Sequence, residues 1–69
     1  MYMSTFGKNL KTERERYGLN QKQLACKIGT SQQRISEWEC DKVEPTVSNI
    51  VAIAKALDIS FDDLFDGIE

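Results

Sequence analysis

The sequence predicts an all-α domain of five short helices, and three observations carry that prediction. Apolar residues recur at spacings of three and four along most of the chain, which is the period of a helix face and not of a strand. Asn20, Ser31, Thr46 and Ser60 stand at the starts of the second to fifth segments, where a side-chain oxygen can accept from N–H groups that the first turn of a helix leaves unpaired. Alternation at period two never lasts long enough to specify a strand.

Met1–Ser4 carry no periodic pattern and are expected to fray. Phe6, Leu10, Arg14 and Tyr17 follow at spacings of four, four and three, which predicts a first helix over Phe6–Tyr17 with three apolar groups and one arginine on its inward stripe. Gly18 ends it by taking the left-handed conformation, and Leu19 folds back onto the core. Asn20 caps a second helix, with Gln23 three residues on completing a capping box. Leu24, Ala25 and Ile28 form its buried side, and Gly29 stops it. Ser31 caps a third helix with Ile35, Trp38 and Glu39 inward, leaving Gln32, Gln33, Ser36 and Glu37 as an outward ridge. Cys40–Pro45 is a connector. Thr46 caps a fourth helix whose inward positions are Val47, Ile50, Val51, Ala54 and Leu57, with Ile53 widening the arc. Asp58 breaks that pattern. Ser60 and Asp63 make a second capping box for a last short helix with Phe61, Leu64 and Phe65 on its apolar side, and Gly67 ends the ordered part.

A chain of 69 residues holds one domain, here 1–69 with an ordered core of about 5–66, and one small core. Cys26 and Cys40 stand without any histidine, so CxxC, zinc-ligand and multi-bridge patterns are absent. A single bridge between them is possible but has no support in the spacing. With no leader and no apolar run of membrane length, a reducing cytoplasm is the expected location, and no membrane contact, cofactor or small-molecule ligand is expected. General acid–base chemistry has no evident players, which argues against an enzyme.

The net charge of −2 argues weakly against a nucleic-acid partner, but its distribution reverses that argument. Residues 1–34 hold seven basic and two acidic side chains, whereas residues 35–69 hold two basic and nine acidic ones. A small binder needs only one face positive, because the local field and not the total charge steers association.

Two helices joined by a tight turn set the second outside the body of a small domain, where its diameter suits the DNA major groove. Gln32 and Gln33 carry amides able to pair with adenine N6 and N7. Glu37 can accept from cytosine N4 or, alternatively, repel phosphate and discriminate against sites that bring the backbone close. Arg34 can reach guanine or phosphate, with phosphate preferred. Asn20, Gln21 and Lys22 lie at the start of the second helix, where free N–H groups and the helix dipole favour a phosphate. Ser36 belongs to the same outward ridge as a positioning contact. For Lys42 in the connector, a phosphate contact and plain solubility weigh evenly. Trp38 shares the inward phase of Ile35 and is expected in the core.

These pieces together resemble the Cro and C1-type (XRE-like) helix-turn-helix family of phage repressors. The resemblance runs from Phe6 to about Phe65. It rests on Leu10, Arg14 and Gly18-Leu19-Asn20-Gln21, on Leu24-Ala25 and Gly29-Thr30-Ser31-Gln32-Gln33, and on Ile35, Trp38-Glu39, Pro45 and Ile53-Ala54-Lys55-Ala56-Leu57. It implies a five-helix λ-repressor-like fold, base contacts from Gln32 and Gln33, a phosphate clamp at Gln21 and a base-reaching position at 37. The repressors with paired glutamines carry a further glutamine at that place, and Glu37 departs from it. The resemblance also implies an ion pair between Arg14 of the first helix and Glu39 at the end of the reading helix. A guanidinium on an inward stripe is tolerable only with such a partner. Cys40-Asp41 replaces the usual connector glycine; Asp can adopt a left-handed turn there at some cost, and an acid near the DNA backbone weakens phosphate contact.

One reading helix spans too few base pairs to find a genomic site, so a homodimer on a two-fold double-stranded DNA operator is expected. Phe61, Leu64 and Phe65 exceed what so short a helix needs to bury and are the candidate interface. The rival reading is a protein-interaction module of the same fold, an antitoxin or anti-regulator, which would bind a protein tightly and no operator.

Overall fold

The computed structural model describes residues 4–68 and contains, among them, five α-helices and no strand. They are α1 (Phe6–Tyr17), α2 (Gln21–Ile28), α3 (Gln32–Glu39), α4 (Val47–Leu57) and α5 (Phe61–Phe65). Side-chain caps open every helix. Asn20 Oδ1 accepts from Gln23 N–H at 2.7 Å while Gln23 Oε1 accepts from Asn20 N–H at 2.8 Å, and Ser60 and Asp63 repeat the arrangement on α5. Ser31 and Thr46 cap α3 and α4 in the simpler one-bond form. Thr5, directly before Phe6, caps α1 in the same form by accepting from Lys8 N–H. Three helices end on left-handed residues, Gly18, Gly29 and Asp58. After each, the next backbone N–H reaches a carbonyl in the preceding turn, as Leu19 N–H does to Arg14 O.

The core is formed by Leu10 of α1, Leu24 and Ala25 of α2, Ile35 and Trp38 of α3, Ile53, Ala54, Ala56 and Leu57 of α4, and Leu64 of α5. Phe6, Leu19, Ile28, Ile50 and Ile59 close its margin. Within α4 the buried stripe is Ile50-Ile53-Ala54-Leu57 with Ala56, whereas Val47 is 76% exposed and Val51 half-buried. The expected inward place of Val47 is therefore corrected: it has the right phase but sits on a first turn that overhangs the body. Tyr17 is likewise at the rim and not inside, its ring lying 4.7 Å from the Lys27 ammonium, which also donates to its hydroxyl.

The two ends of the domain are tied together. Ser4 N–H donates to Gly67 O at 3.1 Å, so Ser4 is fixed where fraying was expected; Met1–Met3, the rest of that segment, lie outside the described residues. Asn9 Nδ2 donates to Leu64 O (2.8 Å) and Asp66 O (2.9 Å), supplying donors to the otherwise open end of α5. This docking buries Leu64 completely, which removes it from the candidate dimer interface: a five-residue helix held against α1 turns that residue into the core. Phe65 meets Phe6 with ring centroids 5.6 Å apart, yet Phe61 and Phe65 remain about half exposed.

Candidate nucleic-acid interface

α2 and α3 are joined by Gly29, Thr30 and Ser31, and α3 is held against the body by Ile35 and Trp38, which are 0% and 1% exposed. That anchoring turns the opposite side of α3 outward. Gln32, Gln33 and Arg34 are exposed, and none of their side chains makes a hydrogen bond within the described residues. Ser36 and Glu37 are half-buried, so the outward ridge is open at its first turn and recessed at its second. Past the second turn the connector folds back on the helix end, with Lys42 N–H donating to Glu37 O at 3.0 Å. Lys22 and Lys42 are exposed on either side of α3 in sequence. At the start of α2, Asn20 is occupied in the capping box while the backbone N–H groups of Gln21 and Lys22 have no acceptor among the described residues.

Behind the reading helix lies the most connected polar cluster of the chain. Arg14 Nε donates to Glu39 Oε2 at 2.6 Å and Arg14 Nη2 to Glu39 Oε1 at 3.1 Å, a two-pronged pair in which the side chains are 8% and 4% exposed. Arg14 Nη1 donates to Leu19 O at 2.8 Å. Gln21 Nε2 donates to Glu39 Oε1 at 3.1 Å. One guanidinium and one carboxylate thus join α1, the turn before α2, the first residue of α2 and the last residue of α3. The hydrogen bonds that Arg14 donates to Glu39 raise its pKa above the ordinary value, outweighing the burial that lowers it, and the charges of Glu39 and Glu15 add to the rise. The inward place of Arg14 is legible from phase and its pairing with Glu39 from the family resemblance, but the bond to Gln21 is legible from neither, since it depends on how α2 and α3 cross.

Asp41 has a role that the sequence reading missed. It takes the left-handed conformation (φ +58°), and its carboxylate accepts from Gly7 N–H at 2.9 Å and from Thr5 Oγ1 at 2.6 Å. An acid at the positive end of α1 is stabilised by the open N–H groups and the dipole there. Gly7 lets the helices meet: a Cβ on it would lie 2.5 Å from both Trp38 O and Glu39 O. A second omission is Glu13, only 7% exposed and paired with Arg16 at 3.2 Å. Cys26 and Cys40 are free, exposed thiols. Among the described residues no three His, Cys, Asp or Glu side chains are grouped to hold a metal ion, and no helix is long and apolar enough to cross a membrane.

The helix-turn-helix family model matches residues 10–64. Repressor protein C2 of Salmonella phage P22 is 33% identical over 67 residues, covering 97% of this chain and 31% of its own length. The chain therefore spans about a third of the curated relative it matches. Among solved structures, the P22 c2 repressor protein in complex with synthetic operator 9T superposes with a TM-score of 0.86 at 32% identity, covering 94% of this chain and 98% of that one. The solution structure of the DNA-binding domain of the P22 C2 repressor gives a TM-score of 0.87 at 33% identity, covering 97% and 88%. The restriction-modification controller protein C.AhdI from Aeromonas hydrophila gives 0.82 at 33%, covering 87% and 91%.

Proposed function

The chain belongs to the Cro/C1-type helix-turn-helix family of phage repressors, and on that premise we propose that it is a sequence-specific DNA-binding transcriptional regulator, acting as a repressor. Its reading helix is α3, set in the major groove, and its working form is a dimer on a two-fold operator. The unbonded amides of Gln32 and Gln33, on the exposed first turn of a helix whose far end is anchored, carry this reading. An amide without an intramolecular partner is free to exchange water for the paired donor and acceptor of an adenine edge, worth about 1–3 kcal/mol of discrimination per two-pronged contact. P22 c2 repressor has been solved on a synthetic operator, and its likeness to this chain supports the same kind of ligand here.

Phosphate contacts set the register in this reading: Gln21 and Lys22 with the open N–H groups of α2 on one side, Arg34 on α3 and Lys42 in the connector on the other. Asn20 contributes by fixing the α2 terminus, and Ser36 by a contact from the second turn of α3. Glu37, the acidic side chain of α3 without an internal partner, accepts from a cytosine amino group or excludes sites that force it near phosphate. Phe61 and Phe65, half exposed on the face of α5, supply the apolar part of the dimer contact. Bound dimer would act by occupancy at a promoter in the bacterial cytoplasm.

Selection of bound DNA from a random pool tests the reading. A two-fold motif is expected from the wild type, with altered preference from Gln32→Ala and Gln33→Ala. Recovery of no motif at low salt refutes specific binding. An unchanged motif from both variants removes these two residues from base reading.

A further inference from the structure

We propose that Glu39 is a positioning residue for the DNA contact made by Gln21, holding that amide in one orientation on the same carboxylate that neutralises Arg14. The proposal rests on the DNA-binding reading above and deepens it. Three observations support it. The Gln21 amide, half-buried at the first position of α2, donates to Glu39 Oε1 at 3.1 Å. That carboxylate is itself immobilised, receiving Arg14 Nε and Nη2 and standing 4% exposed. Arg14 is fixed in turn by Leu19 O, two residues before Gln21.

A carboxylate can only accept, so the amide must present Nε2 to it and cannot turn over. One Nε2 hydrogen is thereby committed to Glu39. The other remains available on the same nitrogen, and at the same helix terminus the backbone N–H groups of Gln21 and Lys22 are also without acceptors among the described residues. A phosphate oxygen at the α2 terminus would meet donors already oriented, and a glutamine ordered before binding loses less side-chain entropy on contact. Because Glu39 closes α3, the same bond ties the phosphate-contacting end of α2 to the reading helix, so register and base contact are set by one rigid unit. Paired and buried, the carboxylate adds this constraint without presenting a bare negative charge to DNA.

A double-mutant cycle on the selected operator tests the coupling. Gln21→Ala is expected to weaken binding about tenfold, the loss of one charge-assisted hydrogen bond. Replacing the pair together, Arg14→Met with Glu39→Leu, avoids leaving a buried charge unpaired. It should also weaken wild-type binding about tenfold and have almost no further effect in the Gln21→Ala background. Equal fold-losses in both backgrounds would mean that the pair supports only the fold, and would overturn the proposal. Should the double replacement not fold, Gln21→Met keeps the ion pair and the side-chain shape while removing the donor, and must match Gln21→Ala; wild-type binding by Gln21→Met overturns the proposal. A measurement on the free protein is independent of DNA: hydrogen exchange of the Gln21 side-chain amide by NMR should be slower than that of Gln32 and Gln33, and equal rates would overturn the proposed fixation. Failure of the wild type to select any motif refutes the DNA reading itself, an outcome distinct from an uncoupled cycle on a motif that wild type does select.

Discussion

Gly7→Ala should destabilise the domain, although helix propensity alone predicts the opposite. Gly7 lies inside α1, where alanine is favoured over glycine by about 1 kcal/mol. The Cβ it would gain, however, falls 2.5 Å from Trp38 O and Glu39 O and 2.8 Å from Glu39 C, all backbone atoms of α3. Ordinary contact for such atoms is about 3.5 Å, so α1 and the end of α3 must part by roughly 1 Å. That separation acts where the two helices are most tightly joined. A retreat of this size would stretch the 2.6 Å Arg14–Glu39 bond and the 2.9 Å Gly7–Asp41 bond beyond useful hydrogen-bond length.

Overpacking of a close contact costs about 1–3 kcal/mol. A weakened cap adds about 1 kcal/mol, which roughly cancels the propensity gain, leaving a net loss of about 1–3 kcal/mol. For a chain of this length the whole stability is on the order of 3–10 kcal/mol, so the loss is a large share of it. The melting temperature should fall by about 5–20 °C, read by circular dichroism, with the urea midpoint falling in parallel at an unchanged slope. A Gly7→Ala protein as stable as the wild type, or more stable, would refute the claim that the α1–α3 contact requires a missing side chain.

The other expectations concern the same region and its surface. Asp41→Ala should cost about 1–2 kcal/mol through the lost cap on α1, and Asp41→Gly less, because glycine relieves the positive φ; chemical denaturation of the two variants ranks them. Arg14→Met alone should cost about 3–5 kcal/mol by stranding the Glu39 carboxylate, and adding Glu39→Leu should restore much of it, seen in the same denaturation curves. Because the folded state raises the Arg14 pKa, the arginine's contribution is complete below its unfolded pKa and is lost only as pH rises through the folded one; the stability difference between wild type and Arg14→Met should therefore stay level from about pH 7 to pH 10. Arg34→Ala and Lys42→Ala should each reduce the slope of log affinity against log salt by about 0.9 if each side chain neutralises one phosphate.

The helix boundaries were legible because the signals that set them are local. Asn20 with Gln23, Ser31, Thr46 and Ser60 with Asp63 all act within one turn, and Gly18, Gly29 and Asp58 end their helices within the next two residues. The phase of α3 was legible for the same reason, since Ile35 and Trp38 decide which side Gln32 and Gln33 occupy. Periodicity does not say which turn of a helix projects past its neighbours, and so Val47 was expected inside and Leu64 at a surface. Nor does it mark contacts across long separations. Asp41 reaches Gly7 over 34 residues and Asn9 reaches Leu64 over 55, each pairing a common polar residue with a backbone group that any sequence possesses.

The acidic second half of the chain has a different meaning once those contacts are placed. By count, Glu37, Glu39 and Asp41 put three negative charges on or just after the reading helix, an unfavourable surface for a polyanion. Glu39 is spent on Arg14 and buried, and Asp41 is spent on the positive end of α1. Of the three, Glu37 alone has no partner among the described residues, and it lies recessed on the second turn of α3. The field along the α2–α3 face is then set by Lys22, Arg34 and Lys42 against one carboxylate, a balance opposite to that of the chain as a whole. A single unneutralised acid among cations discriminates more sharply than one in an acidic patch, because its repulsion is felt only where phosphate or a base acceptor comes close. Glu37→Gln should accordingly tighten binding to nonspecific DNA while broadening the selected motif, and a variant that tightened binding with the motif unchanged would place Glu37 outside base discrimination altogether.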